Sequence, residues 1–228
     1  MTETLNAQQQ HWEITFSETT DMFGTEPSEP ARVAAQSFKK EGKKKILELG
    51  GGQGRDTLFF ARNGFQVDVL DYSEPGVNTI LEKARQAGLS DRVTARRHDV
   101  REPLAFPDET FDACYSHMLF CMALTTSELE FLSREVCRVL RRNGLHIYTV
   151  RHTNDPHYGT GTHLSEDMYE VGGFIVHFFS MRKVERLAKG YELVSVDEFE
   201  EGDLPRKLFR VTLRRGKGGG GLLPNFAF

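Results

Sequence analysis

The stretch Lys45–Ser73, KILELGGGQGRDTLFFARNGFQVDVLDYS, decides the fold. Ile46–Leu49 is a short apolar run that ends in Gly50, Gly51, Gly52 and Gly54. An apolar run of this length closed by glycines predicts a buried strand. Thr57–Ala61 repeats apolar residues at helical spacing, and Gly64 supplies a left-handed cap. Phe65–Leu70 predicts a second strand with Asp71 at its tip. Glycines turn the chain sharply and admit a ligand closer than any Cβ would. The first helical turn offers unpaired N–H groups to a negative group. A carboxylate at the second strand's tip can accept from both vicinal hydroxyls of a ribose. Together these residues predict a ligand that contains a nucleoside.

The dinucleotide pattern G-x-G-x-x-G would need a third glycine at Arg55 or Thr57, and neither complies. The string is Glu48-Leu49-Gly50-Gly51-Gly52-Gln53-Gly54, or E-x-G-x-G-x-G. It resembles motif I of the class I S-adenosylmethionine-dependent methyltransferases. The resemblance implies that Glu48 helps hold the methionine end of S-adenosyl-L-methionine. It implies that the chain from Gly50 through Gly51, Gly52, Gln53, Gly54 and Arg55 passes beneath that end. Asp71, with Tyr72 and Ser73, would take the ribose.

At 228 residues, 39% hydrophobic and 27% charged, the chain fits one α/β domain with a full core. A formal charge of −4 argues against a general polyanion binder, so no nucleic-acid partner is expected. No apolar run approaches the roughly 20 residues of a membrane span. The start, MTETLNAQQQ, is polar and lacks a secretory-signal pattern. Cys114, Cys121 and Cys137 are sparse and show no C-x-x-C spacing, which suits a reducing cytoplasm. The expectation is a cytoplasmic monomer or homodimer acting on a small molecule.

Before the first strand, Trp12, Phe16, Met22 and Phe23 stand in a polar stretch. In the family this segment often folds over the cofactor as a lid; alternatively the aromatics pin an N-terminal helix to the body. Trp12 and Phe23 are candidate substrate contacts. Ser28 and Pro30 predict a helix over Ala31–Lys40. Ser73 caps a further helix whose apolar face is Val77, Ile80, Leu81 and Ala84. Val93–Arg97 predicts a third strand that leads to His98-Asp99-Val100. By resemblance, Asp99 accepts from the adenine amino group and the N–H of Val100 meets a ring nitrogen. Ala113–Ser116 predicts the fourth strand, with Ser116 and His117 at its tip beside the methionine end. His117 is either a wall of the active site or a satisfied loop histidine. Thr125 and Glu128 form a capping box for a helix lined by Leu129, Leu132, Val136, Val139 and Leu140. Asn143 tolerates the left-handed turn before a fifth strand, Leu145–Val150.

The segment Arg151–Phe179 is the least standard. A loop of this length at a strand tip is more often functional than not. Arg151 and Tyr158 are candidate substrate contacts. Met181–Lys189 predicts a helix, and Tyr191–Phe199 and Lys207–Arg214 predict a terminal hairpin joined by Glu200–Arg206. Beyond it runs a glycine-rich tail, 215–228, whose Phe226 and Phe228 either move freely or dock on a neighbour.

Strands alternating with helices predict a parallel, doubly wound α/β sheet. Gly50, Asp71, Asp99, Ser116 and Arg151 then share one edge, where such sheets bind ligands. The resemblance, from about Gly42 to Arg214, implies a Rossmann-like methyltransferase fold with a seven-stranded, mostly parallel sheet and an antiparallel last strand. The implied division is a helical preface over 1–41, a cofactor domain over 42–214 with an insert at 151–179, and the tail. Asp21–Ser28 (DMFGTEPS) and Gly52–Ala61 (GQGRDTLFFA) look like small-molecule methyltransferases of the tellurite-resistance and thiopurine type. The acceptor stays open among thiols, chalcogen or metalloid compounds, amines and hydroxyls. A base is needed only if the acceptor carries a proton, and His117, His152 and His157 are the candidates. No metal is expected, although His152, His157 and His163 keep a loop metal site conceivable and the three cysteines a thiolate trio. A nucleic-acid or protein methyltransferase, and a non-catalytic nucleoside-binding protein of the same fold, are the competing classes.

Overall fold

Alternate residues of the central strands serve two different cores. Ile46 and Ala113 face one layer, while Leu47, Leu49 and Cys114 face the other. That period of two buries both faces of the sheet, which is why the strands read as near-continuous apolar runs. A computed structural model describes residues 2–202 and 206–216, with side chains from residue 7 onward. The expected docking of Phe226 and Phe228 lies outside the described residues.

The chain opens with α1 (Thr2–Glu18) and α2 (Glu29–Lys40), then runs β1 (Lys45–Leu49), α3 (Arg55–Arg62) and β2 (Gln66–Asp71). Next come α4 (Glu74–Gln86), β3 (Val93–Arg97), β4 (Phe111–His117), a 3₁₀ turn at Leu119–Cys121, α5 (Thr126–Val139) and β5 (Leu140–Arg151). β6 (Thr162–Ser165), β7 (Met168–Val171) and β8 (Phe174–His177) precede α6 (Met181–Leu187), β9 (Tyr191–Glu201) and β10 (Arg206–Arg215). The main sheet has seven strands in the order β3-β2-β1-β4-β5-β10-β9. β1 to β5 pair in parallel, and β10 runs antiparallel to both β5 and β9. This is the Rossmann-like methyltransferase arrangement that the sequence implied.

Helices α2, α3 and α4 cover one face and α5 and α6 the other. Their ends follow local chemistry. Ser28, Ser73 and Thr125 each accept an N–H in the first turn, and Thr125 with Glu128 closes a full capping box. Asn143 adopts φ 60° at the turn inside the long β5. Leu81 departs from expectation: it is exposed, because the buried stripe of α4 runs through Val77, Ile80 and Ala84. A residue directly after Ile80 sits about 100° around the helix from it.

The insert is also different. It is not a long loop but a three-stranded antiparallel sheet, β6-β7-β8. Gly172 and Gly173, both at positive φ, make the two-residue turn between β7 and β8. That turn type requires φ > 0 at both positions, so glycine is the residue that fits.

Candidate active site

The parallel strands all end on one edge, and a cavity of about 560 Å³ lies there. Its floor is the glycine loop. A Cβ on Gly51 would stand 2.5 Å from Val69 of β2, so the loop lies flat against the sheet only without one. Gly50 and Gly52 take φ of 74° and 56°, which turns the chain under the cavity. The loop is fastened to the β2 tip, since Gly52 N–H donates to Asp71 Oδ2 at 2.8 Å. Ser73 N–H donates to the other oxygen of Asp71 at 2.9 Å.

Two buried carboxyls, Glu48 and Asp71, line this floor, and among the described residues no basic side chain hydrogen-bonds to either. Glu48 accepts from Thr57 Oγ1 at 2.6 Å. Burial, reinforced by the charge of Asp56, pushes its pKa up to about 8. Burial also raises Asp71, to about 6, against the N–H groups of Ser73 and Gly52 that hold it down. In both, burial penalises the charged form more than the neighbouring groups favour it.

The roof comes from the N-terminal segment. Trp12, Phe16 and Phe23 cluster there, and the Trp12 ring stands 4.7 Å from Phe174 of the insert. Gln53 lines the cavity and also gives its side chain to this roof. Its amide donates to the carbonyls of Thr19 and Phe16 at 2.7 and 3.3 Å and accepts from Met22 N–H at 2.9 Å. Both amide protons are thereby spent, and one lone pair of the amide oxygen is left. Arg55 lines the cavity and donates to the Phe23 carbonyl at 2.8 Å. Deeper down, Asp56 accepts from Ser28 N–H, Ser28 Oγ and Tyr115 Oη, which locks the start of α2 beneath the loop.

Met22, Met118, Met122, Val171, Phe174 and Val176 add apolar side chains to the lining, and His117, Arg151, Glu201 and Arg206 add polar ones. Glu201 and Arg206 come from the terminal hairpin, which sequence reasoning treated as sheet edge. His117 Nδ1 lies 2.8 Å from Thr149 Oγ1, and Nε2 lies 3.4 Å from Glu201. Burial alone would raise the Glu201 carboxyl, but His117, Arg206 and Arg55 outweigh it and hold the pKa below the usual range.

Several expected site residues stand elsewhere. His152, His157 and Tyr158 are not on the cavity wall. Arg151 donates to Asp155 at 3.0 Å, and this buried pair folds the chain back at once. His152 consequently stacks on Phe209 at 4.5 Å, His157 sits against Asp155, and Tyr158 donates to Asp167. His163 meets the Glu166 carbonyl, so the three histidines do not converge. Among the described residues no cluster of His, Cys, Asp or Glu is placed to hold a metal ion. Cys114, Cys121 and Cys137 are free thiols, the first two buried. Gly54, Ser73, Asp99, Val100 and Ser116 also lie off the cavity wall. Gly54 begins α3 and Ser73 caps α4. Both Asp99 oxygens are engaged by Arg101, Val100 packs with Leu104 and Leu119, and the buried Ser116 hydroxyl has no partner among the described residues. Tyr72 stays at the wall, its hydroxyl pKa pushed up by burial.

Residues 46–144 match the family model described as Methyltransferase domain. No match was found among curated protein sequences. Among solved structures, an S-adenosylmethionine-dependent methyltransferase from Methanosarcina mazei superposes with a TM-score of 0.65 at 19% identity, covering 75% of this chain and 92% of that one. The Burkholderia thailandensis 1,6-didemethyltoxoflavin-N1-methyltransferase, solved with 1,6-didemethyltoxoflavin and S-adenosylhomocysteine, gives 0.65 at 17% identity, over 82% and 79% of the two chains. TehB from Haemophilus influenzae gives 0.63 at 16% identity, over 80% of this chain and 61% of its own. Likeness at such identities carries the fold, and residues 46–144, which hold the glycine loop, carry the match to the methyltransferase domain model.

Proposed function

We propose that this methyltransferase moves a methyl group from S-adenosylmethionine to a small molecule with an apolar body. The observation that supports the reading is one cavity whose lining joins Glu48, Gly52 and Asp71 to aromatic, methionine and valine side chains. The residues present fit the cofactor. Burial disfavours the charged form of two carboxyls in the cavity, and the cofactor brings an ammonium and a sulfonium. Above Gly52, where a side chain would obstruct, an added Cβ would meet nothing nearer than the Phe16 ring at 3.5 Å. Glu48 would hold the methionine ammonium and Asp71 the ribose hydroxyls. When bound, the cofactor supplies an electrophilic methyl carbon with a neutral thioether as leaving group.

The protein's part is to orient and to exclude water. Asp71 arrives preorganised, because two main-chain N–H groups already fix its carboxylate. The preface 1–41 serves as a lid, with Trp12 and Phe23 against the acceptor. Arg151, held rigid by Asp155, offers a fixed positive edge. Walls of this kind suit a thiol, amine or hydroxyl carried on a ring or chain better than a bare oxyanion.

Two measurements test this. Labelled cofactor incubated with panels of thiols, amines, phenols and chalcogen oxyanions should transfer label to a member with an apolar body. Asp71→Ala should weaken cofactor binding on the order of 100-fold, as expected for two hydrogen bonds to a charged group. Unchanged affinity by calorimetry would remove Asp71 from the site.

A further inference from the structure

The tip of β4 and the end of β9 meet across the cavity in a chain of three side chains. Met118 N–H donates to Thr149 Oγ1 at 3.0 Å, and the same oxygen lies 2.8 Å from His117 Nδ1. Thr149 is fully buried, and its hydroxyl has no other partner among the described residues. A hydroxyl has one proton to give, and leaving it unmade in a dry interior is costly. Among the described residues only His117 Nδ1 is placed to accept that proton, so it goes there. His117 Nδ1 is therefore an acceptor, and the ring proton sits on Nε2, which faces Glu201 Oε1 at 3.4 Å. In this tautomer His117 has no lone pair left for an acceptor molecule.

Glu201 does. Its carboxylate lines the cavity, and the groups that face it are His117 from β4, Arg55 from α3 and Arg206 from β10. Arg55 and Arg206 stand 4.0 and 3.9 Å away, so neither closes on it. Donors held at this range in a ligand-free site leave room for a further hydrogen bond. The neighbouring positive groups keep the carboxyl ionised at neutral pH.

We infer that Glu201 takes the acceptor's proton, that His117 and Thr149 are its positioning residues, and that the acceptor atom is an N–H, O–H or S–H nucleophile. The inference rests on the methyl-transfer reading above. In the step, the acceptor's lone pair forms the bond to carbon while the carbon–sulfur bond breaks and leaves its electron pair on sulfur. The acceptor's proton passes to a Glu201 oxygen and from there to solvent. A thioether, a tertiary amine or an oxyanion has no proton to deliver and would make no use of this group.

The tautomer can be read without any acceptor. Long-range nitrogen–proton correlation spectra of the full chain, with labelled histidine, should show His117 protonated on Nε2. Thr149→Val should release it toward the Nδ1–H form. An Nδ1–H form in the unmodified protein overturns the inference. With an acceptor from the label screen, Glu201→Gln should lower kcat on the order of 100-fold, a usual share for a positioned base, with cofactor binding unchanged by calorimetry. A harmless Glu201→Gln refutes the assignment. Absence of cofactor binding would instead bring down the methyl-transfer reading itself.

Discussion

Glu48→Gln keeps the shape of a buried side chain and removes its titration. In the unmodified protein, burial and the charge of Asp56 carry this carboxyl from 4.5 to about 8. The folded chain then holds a proton that the unfolded chain has already released. Where the native state binds more protons than the unfolded state, stability falls as pH rises. For Glu48 that window runs from 4.5 to about 8. The difference, at about 1.4 kcal/mol per pH unit, comes to about 5 kcal/mol over the whole window. Asp71 adds a smaller slope of the same sign between 3.8 and about 6. Denaturant titrations across this range should give a cofactor-free protein that weakens with pH, and a variant that keeps only the shallower Asp71 slope. Binding reports the same proton. An ammonium beside Glu48 favours the carboxylate, so at neutral pH the unmodified protein should release close to one proton per cofactor bound. Calorimetry in two buffers of different ionisation heat counts it. The variant should bind more weakly and release almost none. Equal proton counts in the two proteins, or a flat stability profile in the unmodified one, would refute the reasoning.

Two further outcomes follow from packing. Gly51→Ala drives a Cβ to 2.5 Å from Val69 and 3.1 Å from Ile80, so it should cost about 1–3 kcal/mol by chemical denaturation; a variant as stable as the parent would show that the loop gives way freely. Gln53→Ala strips three hydrogen bonds from the end of α1, and limited proteolysis should then cut near residues 19–28 faster while the main unfolding midpoint holds. Equal cutting rates would mean that the aromatic contacts alone hold the segment.

β1, β2 and β4 were legible because each is a short, mostly buried run closed by a turn residue or a helix cap. The glycine loop and the acids Glu48 and Asp71 were legible for a related reason, since their spacing is a local property of one strand–loop–helix–strand unit. What escaped was non-local. Glu201 reaches His117 because β10 inserts beside β5 and brings β9 with it, a pairing that no local pattern encodes. The amide of Gln53 serves a helix that ends more than thirty residues earlier. The insert was partly readable: Gly172-Gly173 between MYEV and FIVH is a hairpin signal, and the run of histidines drew the reading toward a loop instead. His152, His157 and Tyr158 were placed by nearness to a strand tip. The Arg151–Asp155 pair reverses the chain within four residues, so nearness in sequence did not become nearness in space.

The roof and the floor of the cavity are mechanically one piece. Gln53 belongs to the glycine loop yet grips the end of α1, and Lys83 of α4 joins the same latch by binding both Asp21 and the Gln53 carbonyl. The Phe16 ring is the first thing that atoms rising from Gly52 would meet. A ligand seated on the loop therefore presses on the segment that carries Trp12 and Phe23, which line the same cavity. Filling the floor and setting the roof are coupled through Phe16 and Gln53.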